Sequence, residues 1–301
     1  MRISWRTRVA RKVRFVLFSH HKNSNGKKQN HTHTHKIDSK GQGDFGLGWN
    51  QIVSALVADR VLFNSQFNME SFLNKIPTFL NVVPKHSRPE KASIVNDIEK
   101  KSFVLKFPLS IERPRRVSSS SSSSDILHIV WPHRWEHDKG PDVMFRVLDE
   151  LRENHFQFHI SVLGESYAKI PCVFESGKKA LGEKYIRHFG FVESREKYLD
   201  VLSTADIVLS TALHEFYGVS TLEAVWLGCL PICPNRLAYP EFFPKECLYN
   251  TERQLVKKLR AFCKNPSMAR AMRDRVLSSL DMKPFHWNAL KGAYADALGL
   301  D

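Results

Sequence analysis

Between residues 125 and 265 short apolar runs alternate with amphipathic stretches, and this rhythm constrains the fold more than any other feature of the 301-residue chain. Residues 126–131 (ILHIVW) read as a buried strand, and 141–153 as an amphipathic helix with Pro141 in its first turn. Residues 158–163 and 186–191 read as strands, 193–202 as a helix, 206–211 (DIVLST) as a strand, 217–227 as a helix and 230–233 as a strand. Strands alternating with helices at this spacing form βαβ units, which build a parallel, doubly wound α/β sheet. Helices over 253–263, 267–280 and 287–298 finish the chain. In such a sheet ligands bind beyond the carboxyl ends of the strands, where the strand order reverses. The residues that follow strands are therefore the candidates for chemistry.

The first third has a different texture. Residues 13–19 (VRFVLFS) and 60–64 (RVLFN) read as strands, 49–58 as a helix, 65–73 as a helix opened by a Ser65 cap, and 103–107 as a further apolar run stopped by Pro108. Residues 20–44 are polar and lack periodicity, which predicts a disordered insert; His31, His33 and His35 within it read as solvated low complexity more readily than as metal ligands. Seven consecutive serines at 118–124 follow the basic 113–116 segment and cannot pack, so they mark a linker. The expected division is a partial N-terminal Rossmann-like domain over 1–117, the serine linker, and a C-terminal domain over 125–301.

Charge narrows the function classes. The formal charge of +14 suggests a polyanionic partner, but residues 1–36 hold ten Lys or Arg before the first acid, Asp38. The remaining chain carries only +4, which is ordinary for a soluble enzyme. The acid-free start has the composition of a mitochondrial transit segment, yet 13–19 reads better as a buried strand. No run of 18 apolar residues is present, which argues against a membrane span. Five cysteines (Cys172, Cys229, Cys233, Cys247, Cys263) show neither disulfide nor metal spacing, so a reducing compartment, cytoplasmic or nuclear, is expected.

Two loops carry the candidate chemistry. After the strand at 126–131 come Arg134 and Lys139, flanking a turn that leads through Gly140 into a helix. Two cations at a strand end suit a diphosphate leaving group, because they offset charge as it develops in the transition state. Alone, an Arg and a Lys in a loop are more often a solvated surface. After the strand at 206–211 come Glu215, Phe216, Tyr217, Gly218, Val219, Ser220 and, further into the helix, Glu223. Gly218 permits close backbone approach, and the helix start offers N–H groups to a phosphate. A loop carboxylate can accept from sugar hydroxyls, and one deeper in the helix from ribose hydroxyls. His133 and His214 lie nearby but read more readily as packed or solvated than as catalytic.

Arg134-x4-Lys139-Gly140 and Glu215-x7-Glu223, with the flanking segments 206–210 and 224–231, resemble the two signatures of the family 4 retaining GT-B glycosyltransferases. Within that group, segments 48–52, 63–73, 129–139 and 161–165 resemble the subfamily that mannosylates queuosine in tRNA. The resemblance implies a GT-B fold, with two Rossmann-like domains facing a cleft, and transfer of mannose from GDP-mannose to queuosine in cytoplasmic aspartate tRNA. It implies catalytic roles for Arg134, Lys139 and Glu215, and donor contacts from these and from Phe216, Tyr217, Gly218, Val219, Ser220 and Glu223. It further implies front-face substitution without a metal or other cofactor. The family's first domain begins with a glycine-containing loop and later carries a His-Glu-Asn motif. Here His21-Lys22-Asn23 stands where that motif falls, so the first domain is expected to be incomplete, with its acceptor residues unassigned. Two other readings fit the residues: an inactive nucleotide-binding remnant, and a basic RNA-binding protein with a vestigial sugar site.

Overall fold

The computed structural model describes residues 15–18, 45–111, 125–165 and 170–300, the first of these as backbone only. The predicted insert at 20–44 and the serine linker lie outside the described residues. The chain falls into two compact units, residues 1–106 with 288–301, and residues 107–287.

In the first unit, β1 (Phe15–Phe18), β2 (Arg60–Phe63) and β3 (Ser102–Val104) form a parallel sheet in that order. They are joined through α1 (Phe45–Val57), α2 (Gln66–Phe79) and α3 (Lys91–Glu99). Ser65 caps α2 as expected, its hydroxyl accepting from Asn68 N at 3.0 Å. The helix runs beyond the predicted end at residue 73, because Ile76 and Leu80 are drawn into a core with Ile52, Ala55, Val61, Phe63 and Ile98. At the other end of the unit Lys101 Nζ donates to the carbonyls of Leu56 and Ala58, which satisfies the C-terminus of α1 with a cation.

The second unit carries the alternation seen in the sequence. Its strands are β4 (Leu127–Pro132), β5 (Phe158–Leu163), β6 (Ile186–Gly190), β7 (Ile207–Leu209), β8 (Leu230–Pro234) and β9 (Leu248–Tyr249). Its helices are α4 (Pro141–Glu153), α5 (Val173–Leu181), α6 (Arg195–Thr204), α7 (Val219–Trp226), α8 (Tyr239–Phe242), α9 (Glu252–Lys264) and α10 (Pro266–Ser279). All strand pairs are parallel, in the order β6-β5-β4-β7-β8-β9. The first strand thus lies in the middle and the chain builds outward in both directions, the arrangement of dinucleotide-binding sheets. Every residue of β4 is buried, as expected of a parallel strand covered on both faces.

The division differs from the expected one in two places. The last helix (Trp287–Leu298) belongs almost wholly to the first unit: Ala297 packs with Leu62 and Leu105, and Tyr294 Oη donates to Lys106 O at 3.1 Å. Residues 107–111 belong to the second unit, where Tyr217 Oη donates to Phe107 O at 2.8 Å and Leu109 N to Phe285 O at 2.8 Å. A serine run signals where a chain cannot pack, and says nothing of which body its flanks join.

At the amino ends of β4 and β7 the polar groups are structural. Asp206 accepts from His128 N at 3.0 Å and from Arg270 Nε at 3.0 Å, clasping two strands to α10. The His128 ring lies between Ser161 Oγ and Thr204 O, and burial pushes its pKa down to about 4. Cys229 and Cys233 are buried free thiols, in keeping with the lack of disulfide or metal spacing in the sequence.

Candidate active site

The strand order reverses between β4 and β7, and the loops leaving their carboxyl ends are tied together. Leu213 N and His214 N both donate to Asp138 O, at 2.8 and 3.1 Å. Thr211 Oγ1 accepts from Trp131 Nε1 at 3.0 Å and donates to Lys139 O at 3.0 Å. Gly140 sits at φ 64°, where L side chains are strained, and a Cβ there would fall 2.2 Å from Thr211 O. The two loops thus approach as closely as backbone allows, and Lys139 is delivered beside the second one.

The Lys139 side chain is almost buried. Its Nζ donates to His214 O at 3.0 Å and to Glu215 Oε2 at 3.2 Å, and lies 3.6 Å from Asp138 Oδ2. Glu215 is held from the other side as well, with Oε1 accepting from Phe216 N at 3.2 Å and Tyr217 N at 3.4 Å. A carboxylate gripped at both oxygens is oriented in advance, and its remaining lone pairs can accept from hydroxyls.

Gly218, at φ 79°, opens α7 with no side-chain cap. The first N–H groups of a helix have no partner within it, so this end favours an anion. Val219 is exposed there and Ser220 half-buried. Phe216 is half-buried in the loop. The Tyr217 ring is buried against Phe107 and Phe242 and its phenol is engaged by Phe107 O, which leaves its backbone to meet a ligand.

Arg134 is half-buried and its guanidinium pairs with Glu136 Oε2 at 3.3 Å. The two cations of the first loop are therefore engaged with different carboxylates. Glu223 is buried in α7 and held by Arg195: Nη1 donates to Oε2 at 3.2 Å while Nη2 reaches Oε1. The Tyr198 hydroxyl, whose pKa is pushed above its usual range by burial and then by the Glu223 charge, completes that cluster. Sequence reasoning passed over Arg195, which follows the α6 cap Ser194 and stands 28 residues before its partner. Nothing local distinguishes it from a solvated first-turn residue.

His133 is buried, and burial followed by the neighbouring Lys139 charge brings its pKa down to about 3, against a contrary pull from the Leu209 backbone. It is a neutral packed ring, T-shaped against Trp131 at 4.9 Å. The His214 side chain is exposed. Among the described residues no three His, Cys, Asp or Glu side chains gather as metal ligands, and no helix is long and apolar enough to cross a membrane.

The arrangement offers a nearly buried ammonium, a preoriented carboxylate and an uncapped helix start at one strand-order reversal, which suits a nucleoside diphosphate attached to a polyhydroxylated group. Comparison with known proteins gives the family. The family model for the N-terminal region of tRNA-queuosine alpha-mannosyltransferase matches residues 32–109, and that described as glycosyl transferases group 1 matches residues 117–276. A Drosophila melanogaster protein named tRNA-queuosine alpha-mannosyltransferase is 44% identical over 266 residues, covering 85% of this chain and 68% of its own length. Among solved structures, S. aureus TarM superposes with a TM-score of 0.63 at 12% identity, over 87% of this chain and 48% of that one. Sucrose-phosphate synthase from Thermosynechococcus elongatus gives 0.60 at 13% identity, over 88% of this chain and 65% of that one. The chain thus spans about half the length of TarM, and at these identities the likeness shows the GT-B fold alone. The chain is a glycosyltransferase and belongs to the tRNA-queuosine alpha-mannosyltransferase family, within the group 1 glycosyltransferases.

Proposed function

We propose that this chain transfers mannose from GDP-mannose to the queuosine of cytoplasmic aspartate tRNA, with retention at the anomeric carbon and without a metal ion. The observation that carries the reading is the Lys139–Glu215 pair at the strand-order reversal, in a chain of this family. The acceptor hydroxyl attacks the anomeric carbon on the face from which GDP departs. The bond to the diphosphate oxygen breaks as the new glycosidic bond forms, and the departing phosphate takes the hydroxyl proton. Lys139, Arg134 and the start of α7 offset the diphosphate charge, the work a bound divalent ion does elsewhere. Glu215 orients the sugar and Glu223 the ribose. A diphosphate, with more charge than one carboxylate, competes with Glu136 for Arg134.

Incubation with labelled GDP-mannose and tRNA, with and without queuosine, tests this directly. Label should enter only the queuosine-containing tRNA, should not come from UDP-sugars, and should persist in EDTA. No transfer to any tRNA overturns the proposed activity, and equal transfer to unmodified tRNA overturns the acceptor.

Arg195 provides a second check. If it sets the geometry in which Glu223 meets the ribose, Arg195→Ala should raise the donor KM about tenfold, equivalent to roughly 1.4 kcal/mol for a partly exposed charge-assisted contact, and leave kcat nearly unchanged. Steady-state kinetics with varied donor measure both, and an unchanged KM removes Arg195 from the site.

A further inference from the structure

We propose that the outer face of α9, where it borders α4, is a docking surface for the phosphodiester backbone of RNA. The proposal rests on the reading of tRNA as acceptor and adds where the tRNA body is held. Of the 13 residues of α9, five are Lys or Arg and one is Glu. That Glu252 is already neutralised, since Arg146 of α4 donates to its two oxygens at 3.1 and 2.9 Å.

Arg253, Lys257, Arg260 and Lys264 line an open groove with Glu150 of α4. Their spacing places them on one stripe of the helix, about 16 Å long at ~1.5 Å per residue. Leu255, Val256, Leu259, Phe262 and Cys263 bury the opposite face, so the stripe is fixed outward. Arg253, Lys257 and Lys264 are exposed, and none of them has an ion pair among the described residues. Arg260 lies 3.9 Å from Glu150 and donates to Asn154 Oδ1 at 3.2 Å. Lys258, pointing elsewhere, is engaged by Glu246 O and Leu248 O and is excluded from the stripe.

Four like charges in successive turns repel one another, and the acids lining the groove beside them are Glu150 and the already paired Glu252. Two of the cations are also held in place: Arg260 and Lys264 lie 5.4 and 5.8 Å from the centre of the Phe156 ring. A row of preorganised cations in an open groove fits a chain of phosphates better than a compact ligand, which needs enclosure. A membrane surface would call for apolar side chains projecting beside the cations, and the apolar face of α9 is buried.

The test is tRNA binding by fluorescence anisotropy across a salt series, comparing the full chain with the combined Arg253→Ala, Lys257→Ala, Lys264→Ala variant. These side chains are exposed, so the variant keeps its fold, which circular dichroism and unchanged GDP binding verify. The slope of log affinity against log salt should flatten by roughly 2 to 2.7, about 0.7–0.9 for each phosphate that is no longer neutralised, with at least a tenfold weaker affinity at moderate salt. Parental slope and affinity in the variant overturn the surface, as does binding of the parent to phosphatidylserine vesicles but not to tRNA. A parent that transfers no mannose, yet whose tRNA slope flattens in the variant, leaves the surface standing and overturns the proposed activity alone.

Discussion

Replacing Lys139 with alanine should lower kcat/KM by about a hundred- to a thousandfold, the ~2.7–4 kcal/mol found when one preorganised charge partner of a transition state is removed. Affinity for GDP itself should fall less, by roughly 1.5–3 kcal/mol, the worth of a charge-assisted hydrogen bond. The structure gives the reason for so large an effect from one side chain. Lys139 Nζ lies within 3.6 Å of both Asp138 and Glu215, so its removal leaves two carboxylates facing the place where a diphosphate would sit. The site would lose one of its two cations and keep both carboxylates. The double variant with Glu215→Ala should therefore recover part of the GDP affinity, because the effects of two groups in contact are not additive. Isothermal titration with GDP measures both, and unchanged affinity in a folded Lys139→Ala variant would remove the pair from the donor site.

Gly140→Ala should destabilise the second unit by about 2–5 kcal/mol, although it adds only one methyl group. A non-glycine residue in the left-handed region costs ~1–2 kcal/mol, and forcing an atom into packed surroundings ~1–3 kcal/mol. Both apply here, since φ is 64° and the new Cβ would meet a backbone oxygen, that of Thr211, at 2.2 Å. A backbone atom cannot rotate aside as a side chain can, so the two loops must separate. Donor affinity should fall with stability, because Lys139 and Glu215 are brought together by that approach. Denaturant melts should show a lower midpoint at an unchanged slope. A variant that melts with the parent would mean that the loops are not locked at Gly140.

The elements legible in the sequence were those with a strong periodic signal. The helix Pro141–Glu153 and the strand Phe158–Leu163 fall where expected, since an apolar stripe or an apolar run with a clear stop is a local property. Lys91–Glu99 and Val173–Leu181 were not foreseen as helices; the first is short, polar and opened without a side-chain cap. The candidate loops were legible because a parallel sheet presents its ligand groups after its strands, and Arg134, Lys139, Glu215 and Gly218 stand there. The buried role of Tyr217 was not, because an aromatic residue in a loop carries no local mark of what will cover it.

By itself, then, the sequence determined the α/β class, most of the helices and strands of the second unit, and the candidate residues for binding an anion. Tertiary structure alone decided which of these meet. Lys139 and Glu215 are 76 residues apart and touch because β4 and β7 are neighbours in the sheet. Arg195 reaches Glu223 because α6 and α7 pack together, and the last helix joins the first unit because Ala297 completes its core. The physical reason is the same in each case: periodicity records which face of an element is apolar or charged, whereas the partner of that face is chosen by the packing of the whole chain.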